Sequence, residues 1–339
     1  QARSSARQWM WDGAFNMRKI LLTGGAGFIG SHVLEKLVDD FPDAEITILD
    51  RMTYAADFEN ISHLLDRRKR TLIVGNVTDL QLCSRLTRDV DCVIHTAAES
   101  HVDNSFGNSI EFTMSNTLGT HTLLEAARVN ETPLFIHVST DEVYGEVLEG
   151  HSVERDALDP SNPYSASKAG AEMMVRGYQH SFSMPIITIR ANNIFGIRQF
   201  PEKIIPKFTM QLLFGQPLTI HGTGENARHY LAAEDFAEAL TMLIRNGKIN
   251  EIYNIGSDRE MTNLEVARLI CEVNGADFDS VVTFIADRPF NDRRYCVESS
   301  KISALGWTPR IDLPQALPGI KRWYQDNQYR YRHLFGMAD

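Results

Sequence analysis

In the stretch HVSTDEVYG, residues Thr140, Asp141 and Glu142 set a hydroxyl and two acids side by side, directly after a short apolar run. No strand or helix needs that pair for packing. Two neighbouring carboxyls in opposite protonation states can serve as general acid and general base at once, provided their surroundings separate the pKa values. Capping accounts for the same letters: Ser139 or Thr140 as N-cap, with the two acids favouring the first turn of a helix. On the tripeptide alone both readings stand.

A second chemical pair lies in NPYSASKAG, where Tyr164 and Lys168 are four residues apart at the start of a helix. That spacing places both side chains on one helical face. An ammonium near a phenol favours the phenolate, so the spacing predicts a tyrosine pKa lowered from ~10 toward working pH. Such a phenol can take the proton of a hydroxyl as hydride leaves its carbon. An ordinary exposed Tyr–Lys pair shows the same letters.

Hydride needs an acceptor, and TGGAGFIGSH supplies the place for one. Gly24, Gly27 and Gly30 fall between an expected strand and an expected helix. Glycines there allow a tight turn and close approach of a pyrophosphate to the helix N-terminus, whose free N–H groups favour anions. Asp50 closes the next strand about 20 residues on, as the dinucleotide fingerprint requires. Its carboxylate can accept from both ribose hydroxyls and repels a 2'-phosphate, so NAD is expected rather than NADP. Arg51 beside it softens that preference. The expected cofactor set here is Gly24, Gly27, Phe28, Ile29, Gly30, Asp50, Arg51 and Thr53.

These groups need a scaffold. KILLTG, EITILD, TLIVGN, DCVIHTAA, LFIHVST, PIITIRANN and EIYNIGS are near-continuous apolar runs, as in strands covered on both faces. Helical stretches such as SHVLEKLVDDF, NTLGTHTLLEAARV and YSASKAGAEMMVRGYQHSF separate them. Alternation of this kind predicts an α/β fold, a Rossmann-type doubly wound parallel sheet. From about residue 192, prolines and glycines (Pro201, Pro206, Gly215, Pro217, Gly222, Gly224) punctuate shorter elements and suggest a smaller C-terminal substrate-binding lobe. The expected division is a cofactor domain over 17–191 with a return near 226–257, and a lobe from 192–225 and 258–339. Residues 1–16 have no apolar core of a secretory signal and are set apart as a tail.

The 339 residues carry a net charge of -10, which argues against broad binding of nucleic acid or anionic membrane. An anionic ligand must therefore meet local clusters of arginine, lysine or backbone N–H. Cys83, Cys92, Cys271 and Cys296 are scattered without metal spacing, a usage that fits a reducing cytoplasm. His95, His101 and His229 form no ligand set either, so no metal is expected. No apolar run approaches the ~18 residues of a membrane span.

The glycine triplet followed by Tyr-x-x-x-Lys resembles the extended short-chain dehydrogenase/reductases that act on nucleotide sugars. The resemblance runs from about Met17 to about Trp323. HTAAESHVDNS, STDEVYG, NPYSASKAGAE, FPEKIIPKF and DRPFNDRRY are similar to the nucleoside-diphosphate-glucose 4,6-dehydratases in particular. That likeness implies a lyase with bound NAD: oxidation at C4 of the sugar, loss of water across C5 and C6, then hydride return to C6. It implies Tyr164 as base to the 4-hydroxyl, with Lys168 beside it. Glu142 is the C5 base, Asp141 the acid to the 6-hydroxyl and Thr140 a partner of the 4-oxygen.

By the same likeness Ala97, Ala98 and Ser100 pass beneath the nicotinamide half of NAD, Asn76 and Val77 hold the adenine, and Ser115 and Ile194 touch the cofactor. Relatives more usually carry Asp where Asn76 stands. Substrate contacts are implied at Ser100, Thr140, Asn193, Lys203, Ile204, Thr219, His221, Arg228, Asn263, Arg288 and Asn291, with Arg228 and Arg288 as cationic forks for the diphosphate. Asn291 stands where many bacterial dTDP-glucose enzymes have His and where UDP-glucose-using and animal relatives tend toward Asn, which leaves the base open; dTDP-glucose is the first expectation and UDP-glucose the next. Relatives pair through helices near 108–127 and 164–182, which predicts a homodimer. A C4 epimerase, which performs only the first stage and needs no paired acids, and a non-catalytic NAD-bound sensor are the alternatives.

Overall fold

The computed structural model describes residues 17–287 and 291–337. Strands β1 (Lys19–Thr23), β2 (Glu45–Asp50), β3 (Arg70–Val74), β4 (Cys92–His95), β5 (Leu134–Thr140) and β6 (Ile186–Ala191) are the expected apolar runs. Two short strands, β7 (Asn193–Phe195) and β8 (Leu218–His221), follow, then β9 (Ala227–Ala232) and β10 (Ile252–Ile255). The last two are β11 (Glu260–Thr262) and β12 (Val282–Ile285). Seven strands join one parallel sheet in the order β10-β6-β5-β4-β1-β2-β3.

Both sheet faces are covered, which is why the strands lack polar alternation. Ile20, Leu22, Ile46, Ile48, Ile136 and Ile189 pack on one face against the helices Phe28–Asp40 and Ala233–Asn246. Leu21, Leu49, Val93 and Phe135 pack on the other, against the helices Gly119–Val129 and Pro163–Phe182. A separate apolar cluster joins Phe195, Phe208, Ile220, Tyr230, Val266 and Tyr324. The chain order reverses between β1 and β4, and ligands of open parallel sheets bind at such a switch point, outside the carboxyl ends of the strands. Thr23, Thr140 and Ala191 are all strand-end residues on that edge.

One ion pair ties the sheet to the helix Pro163–Phe182 from inside. Arg190 of β6 donates to both carboxylate oxygens of Glu172, at 3.0 Å from Nε to Oε1 and 2.6 Å from Nη2 to Oε2. Both side chains are 1% exposed. The same guanidinium donates to the Tyr144 hydroxyl at 2.7 Å and stacks on its ring, while that hydroxyl donates to Asn254 Oδ1 at 2.8 Å. A buried charge stripped of its partner is costly, so Glu172→Ala should lower unfolding free energy by about 3–5 kcal/mol. Urea denaturation checks this; a loss below ~1 kcal/mol means that the pair is dispensable.

Candidate active site

The first half of the site is the glycine turn. Gly24 has φ +74°, and a Cβ there would stand 2.7 Å from the Ala97 backbone. A Cβ on Gly30 would lie 2.1 Å from the Gly24 carbonyl oxygen, so the helix can start this close to the strand only without one. Gly27 is the N-cap of the helix Phe28–Asp40 and no side chain caps it, which leaves N–H groups directed into the cavity. Asp50 is buried, and its oxygens accept from Ala26 N at 2.9 Å and Met52 N at 2.8 Å. It therefore braces the turn as well as facing the cavity; burial pushes its pKa up and those two N–H groups oppose the shift. These features fit a dinucleotide: a cradle that tolerates no Cβ, open helix N–H groups, and a carboxylate beyond them. Arg51 lines the cavity beside Asp50, its half-exposed guanidinium paired with Glu111.

The second half is the turn after β5. All seven residues of β5 are buried, and the chain leaves it in a single 3-10 turn, Asp141–Tyr144. Thr140 caps that turn by accepting from Glu142 N at 3.3 Å, and donates to Asp141 Oδ1 at 3.2 Å. The capping reading is thus correct and does not displace the other: Asp141 and Glu142 both line the central cavity. Asp141 is 2% exposed. Burial and then the Glu142 charge push its pKa up to about 7, against the hydrogen bond from Asn192 and the charge of Arg228. Glu142 is also raised by burial, but the charges of Lys203 and Arg228 and a hydrogen bond with Asn162 draw it back.

Tyr164 corrects an expectation. Its phenol is pushed up rather than down, by burial and then by the Glu142 charge, with Asp141 adding to it and a hydrogen bond with Thr140 opposing. Lys168 donates to the Val138 carbonyl at 2.7 Å and is itself lowered to about 8 by burial. Helical spacing counts only the lysine four residues on; the fold buries the phenol and sets the Glu142 charge near it, and burial is the larger effect.

One cavity of about 470 Å³ gathers nearly every candidate. On the cofactor side it is lined by Gly24, Gly27, Phe28, Ile29, Gly30, Asp50, Arg51, Thr53, Asn76, Val77, Ala97, Ala98, Ser115 and Ile194. Thr140, Asp141, Glu142, Tyr164 and Lys168 lie at its centre, with Ser100, Asn193, Lys203, Ile204, Thr219, His221, Arg228, Asn263 and Asn291 completing the wall. Arg288 lies outside the described residues. Lys203 reaches across to the Ser100 carbonyl at 2.9 Å. Arg228 is anchored by the carbonyls of Ala227 and Asp292, at 2.8 and 2.9 Å, with its ion centre 4.6 Å over the Tyr295 ring. Asn291 donates to Asp287 Oδ1 at 2.9 Å.

Sequence reasoning missed Asn162 and Asn192, which bond the two acids. Asn162 also caps the helix Pro163–Phe182 in a reciprocal box with Ser165, and Asn-Pro before a helix was a readable signal for that much. His95 sits between the Thr23 and Thr120 hydroxyls at 2.7 and 3.0 Å, and His229 between the Ser257 carbonyl and Glu260 at 2.8 and 3.0 Å. Among the described residues no group of His, Cys, Asp or Glu could hold a metal ion. No helix among them is long and apolar enough to cross a membrane.

A parallel sheet with a glycine turn at its switch point and a tyrosine–lysine helix beside it defines an extended short-chain dehydrogenase/reductase. A family model described as GDP-mannose 4,6-dehydratase matches residues 21–319. The chain belongs to that family of nucleotide-sugar dehydratases. It is 45% identical over 324 residues, 94% of its length, to an Arabidopsis thaliana protein named trifunctional UDP-glucose 4,6-dehydratase/UDP-4-keto-6-deoxy-D-glucose 3,5-epimerase/UDP-4-keto-L-rhamnose-reductase RHM2. The chain spans about half of that relative, 49%. It is 38% identical over 333 residues to a human dTDP-D-glucose 4,6-dehydratase, covering 96% of the chain and 95% of the relative. Among solved structures, the dTDP-glucose 4,6-dehydratase DesIV of Streptomyces venezuelae, with NAD and TYD bound, superposes with a TM-score of 0.89 at 37% identity. That match covers 92% of this chain and 98% of DesIV.

The raised Asp141 has a consequence for stability. Folded, the carboxyl keeps a proton to about 7; unfolded, it loses it near 3.8. The folded state thus holds the extra proton between those values, and stability falls as pH rises through that window. Asp141→Asn removes the cost. Relative to the parent it should gain up to about 4 kcal/mol at pH 8 and nothing below pH ~4. Melting curves at both pH values decide; equal gains at both, or none, contradict the buried acid.

Proposed function

We propose that the chain is an NAD-dependent lyase that dehydrates a nucleoside-diphosphate glucose to its 4-keto-6-deoxy derivative. The observation that carries this is the pair Asp141 and Glu142, lining one cavity with Tyr164, the first faced by an amide and a hydroxyl and the second by the charges of Lys203 and Arg228. A C4 epimerase needs the tyrosine but has no use for two acids at C5 and C6.

The glycine turn and Asp50 would hold NAD, which would supply the hydride acceptor for C4 and the donor for C6. The positive charge of bound NAD would oppose the rise seen in the free phenol; Tyr164 then takes the proton of the 4-hydroxyl, and Thr140, bonded to the phenol, steadies the 4-oxygen. The 4-ketone acidifies the C5 hydrogen. Glu142, drawn toward its carboxylate by Lys203 and Arg228, removes that proton. Asp141, still protonated near neutrality, gives its proton to the departing 6-hydroxyl, which leaves as water. Glu142 then returns its proton to C5. Hydrogen taken from C4 ends on C6, so the sugar changes with no net oxidation. Arg228 and Lys203, in a chain of net charge -10, give the diphosphate its local cations. Thr219, His221, Asn263 and Asn291 face the nucleoside. The names of the relatives support both bases, with dTDP-glucose and UDP-glucose as the two candidates to test.

We infer a homodimer from exposed apolar side chains at regular spacing: Ile110 at 75%, Met114 at 43% and Leu118 at 39%, with Met173 at 46% on the helix Pro163–Phe182. Residues four apart share a helix face, and a stripe of this kind calls for a partner. Ile110→Glu should convert the dimer to monomer by light scattering; an unchanged mass rejects this face.

For the reaction, the parent protein is given dTDP-glucose or UDP-glucose deuterated at C4. The 4-keto-6-deoxy product should carry deuterium at C6, and Glu142→Gln should slow water loss about 10²–10⁴-fold while still oxidising C4. Product that keeps its 6-hydroxyl, or wild-type water loss in the variant, rejects the assignment.

A further inference from the structure

The acid-bearing turn is held by a residue of the same cavity wall. Asn192 follows β6 and is 4% exposed. Its Nδ2 donates to Asp141 Oδ2 at 2.8 Å, and its Oδ1 accepts from the Ser257 backbone N–H at 3.1 Å. A backbone N–H can only donate, so the atom facing Ser257 is the amide oxygen and the atom facing Asp141 is the amide nitrogen. Gly256 makes room for this orientation: a Cβ there would lie 2.2 Å from Asn192 Oδ1. Two residues earlier Arg190 holds the far end of the same turn through the Tyr144 hydroxyl. β6 and the residue after it thus pin the turn at both ends.

An amide N–H can only donate, so it holds Asp141 Oδ2 as an acceptor; the Thr140 hydroxyl beside Oδ1 can turn to accept, and the proton is therefore better placed on Oδ1. We propose that Asn192 is a positioning residue that confines the transferable proton of Asp141 to Oδ1, the oxygen beside Thr140. The proton leaves Oδ1 for the departing hydroxyl, the O–H bond of Asp141 breaking as that of water forms, and the resulting carboxylate keeps its bond from Asn192. The other groups that bear on Asp141 are Glu142, Arg228, Tyr164 and Cys296. None of these is a neutral donor fixed on its other side by backbone. The inference rests on the dehydratase reading for its place in the reaction, but its test does not.

The test follows the Asp141 carboxyl by infrared titration in the NAD-bound protein, the band being identified by its absence in Asp141→Asn. Asn192→Leu keeps the volume and Asn192→Ala opens a gap; both remove the donor that favours the carboxylate. The midpoint should rise by about one pH unit in both variants. The alkaline limb of water elimination should move with it, and melting near the parent value confirms folded protein. A midpoint unmoved in both, or moved in the Ala variant alone, overturns the proposal, as does a fall in rate at all pH values with the limb in place. Should the parent protein dehydrate neither nucleotide sugar, the reaction assignment fails while the titration still decides the role of Asn192.

Discussion

Two carboxyls drawn out of water at the end of a buried strand are the constraint that most of this structure answers. Unpaired and charged, each would cost several kcal/mol. The chain offsets that cost by different means at the two positions. Asp141 keeps its proton to about 7 and accepts from Asn192 and Thr140. Glu142 stands before two cations, Lys203 and Arg228. In a protein with net charge -10 those cations are not incidental; they gather where the negative charge is densest.

The parallel sheet makes such a gathering possible. β5 is buried along its whole length, so the first place its chain can present polar groups is where the strand ends. Neighbouring strands end on the same edge, and Thr23, Thr140 and Ala191 therefore face one cavity. On one side of the switch point the edge is backbone: glycines stripped of Cβ, and a helix start with open N–H groups. On the other it is side chains. The first suits a dinucleotide and the second, on the proposed function, a sugar. The helix Pro163–Phe182 brings Tyr164 and Lys168 between them, with Glu172 locked to Arg190 behind.

Much of this was legible in the sequence. Strands covered on both faces read as apolar runs, so β1 to β6 and β10 fall where those runs lie. The glycine triplet, Asp50, the acid pair and the Tyr–Lys pair are local signals, and the cavity unites all of them. What stayed hidden was long-range. Asn192 reaches Asp141 across 51 residues, and Arg190 reaches Tyr144 across 46. No periodicity encodes which asparagine after a strand faces an acid. The ionisation of Tyr164 was hidden for the same reason: its lysine is local in sequence, whereas the burial that raises the phenol, and the Glu142 charge that adds to it, come from the tertiary fold. Arg51 is a third case, its partner Glu111 lying 60 residues on.

The same account explains how adjacent residues of nearly identical chemistry can take opposite parts. Burial alone does not tell them apart, since both acids are raised by it; the Glu142 charge adds to the rise of Asp141. The difference lies in what each faces. Asp141 points to an amide and a hydroxyl, groups that orient a carboxyl without supplying charge. Glu142 faces a lysine and an arginine carried on segments beyond β7, whose charges oppose the rise that burial causes. In the proposed reaction acid and base are thus divided by what the fold sets against each, with Arg228 bearing on both.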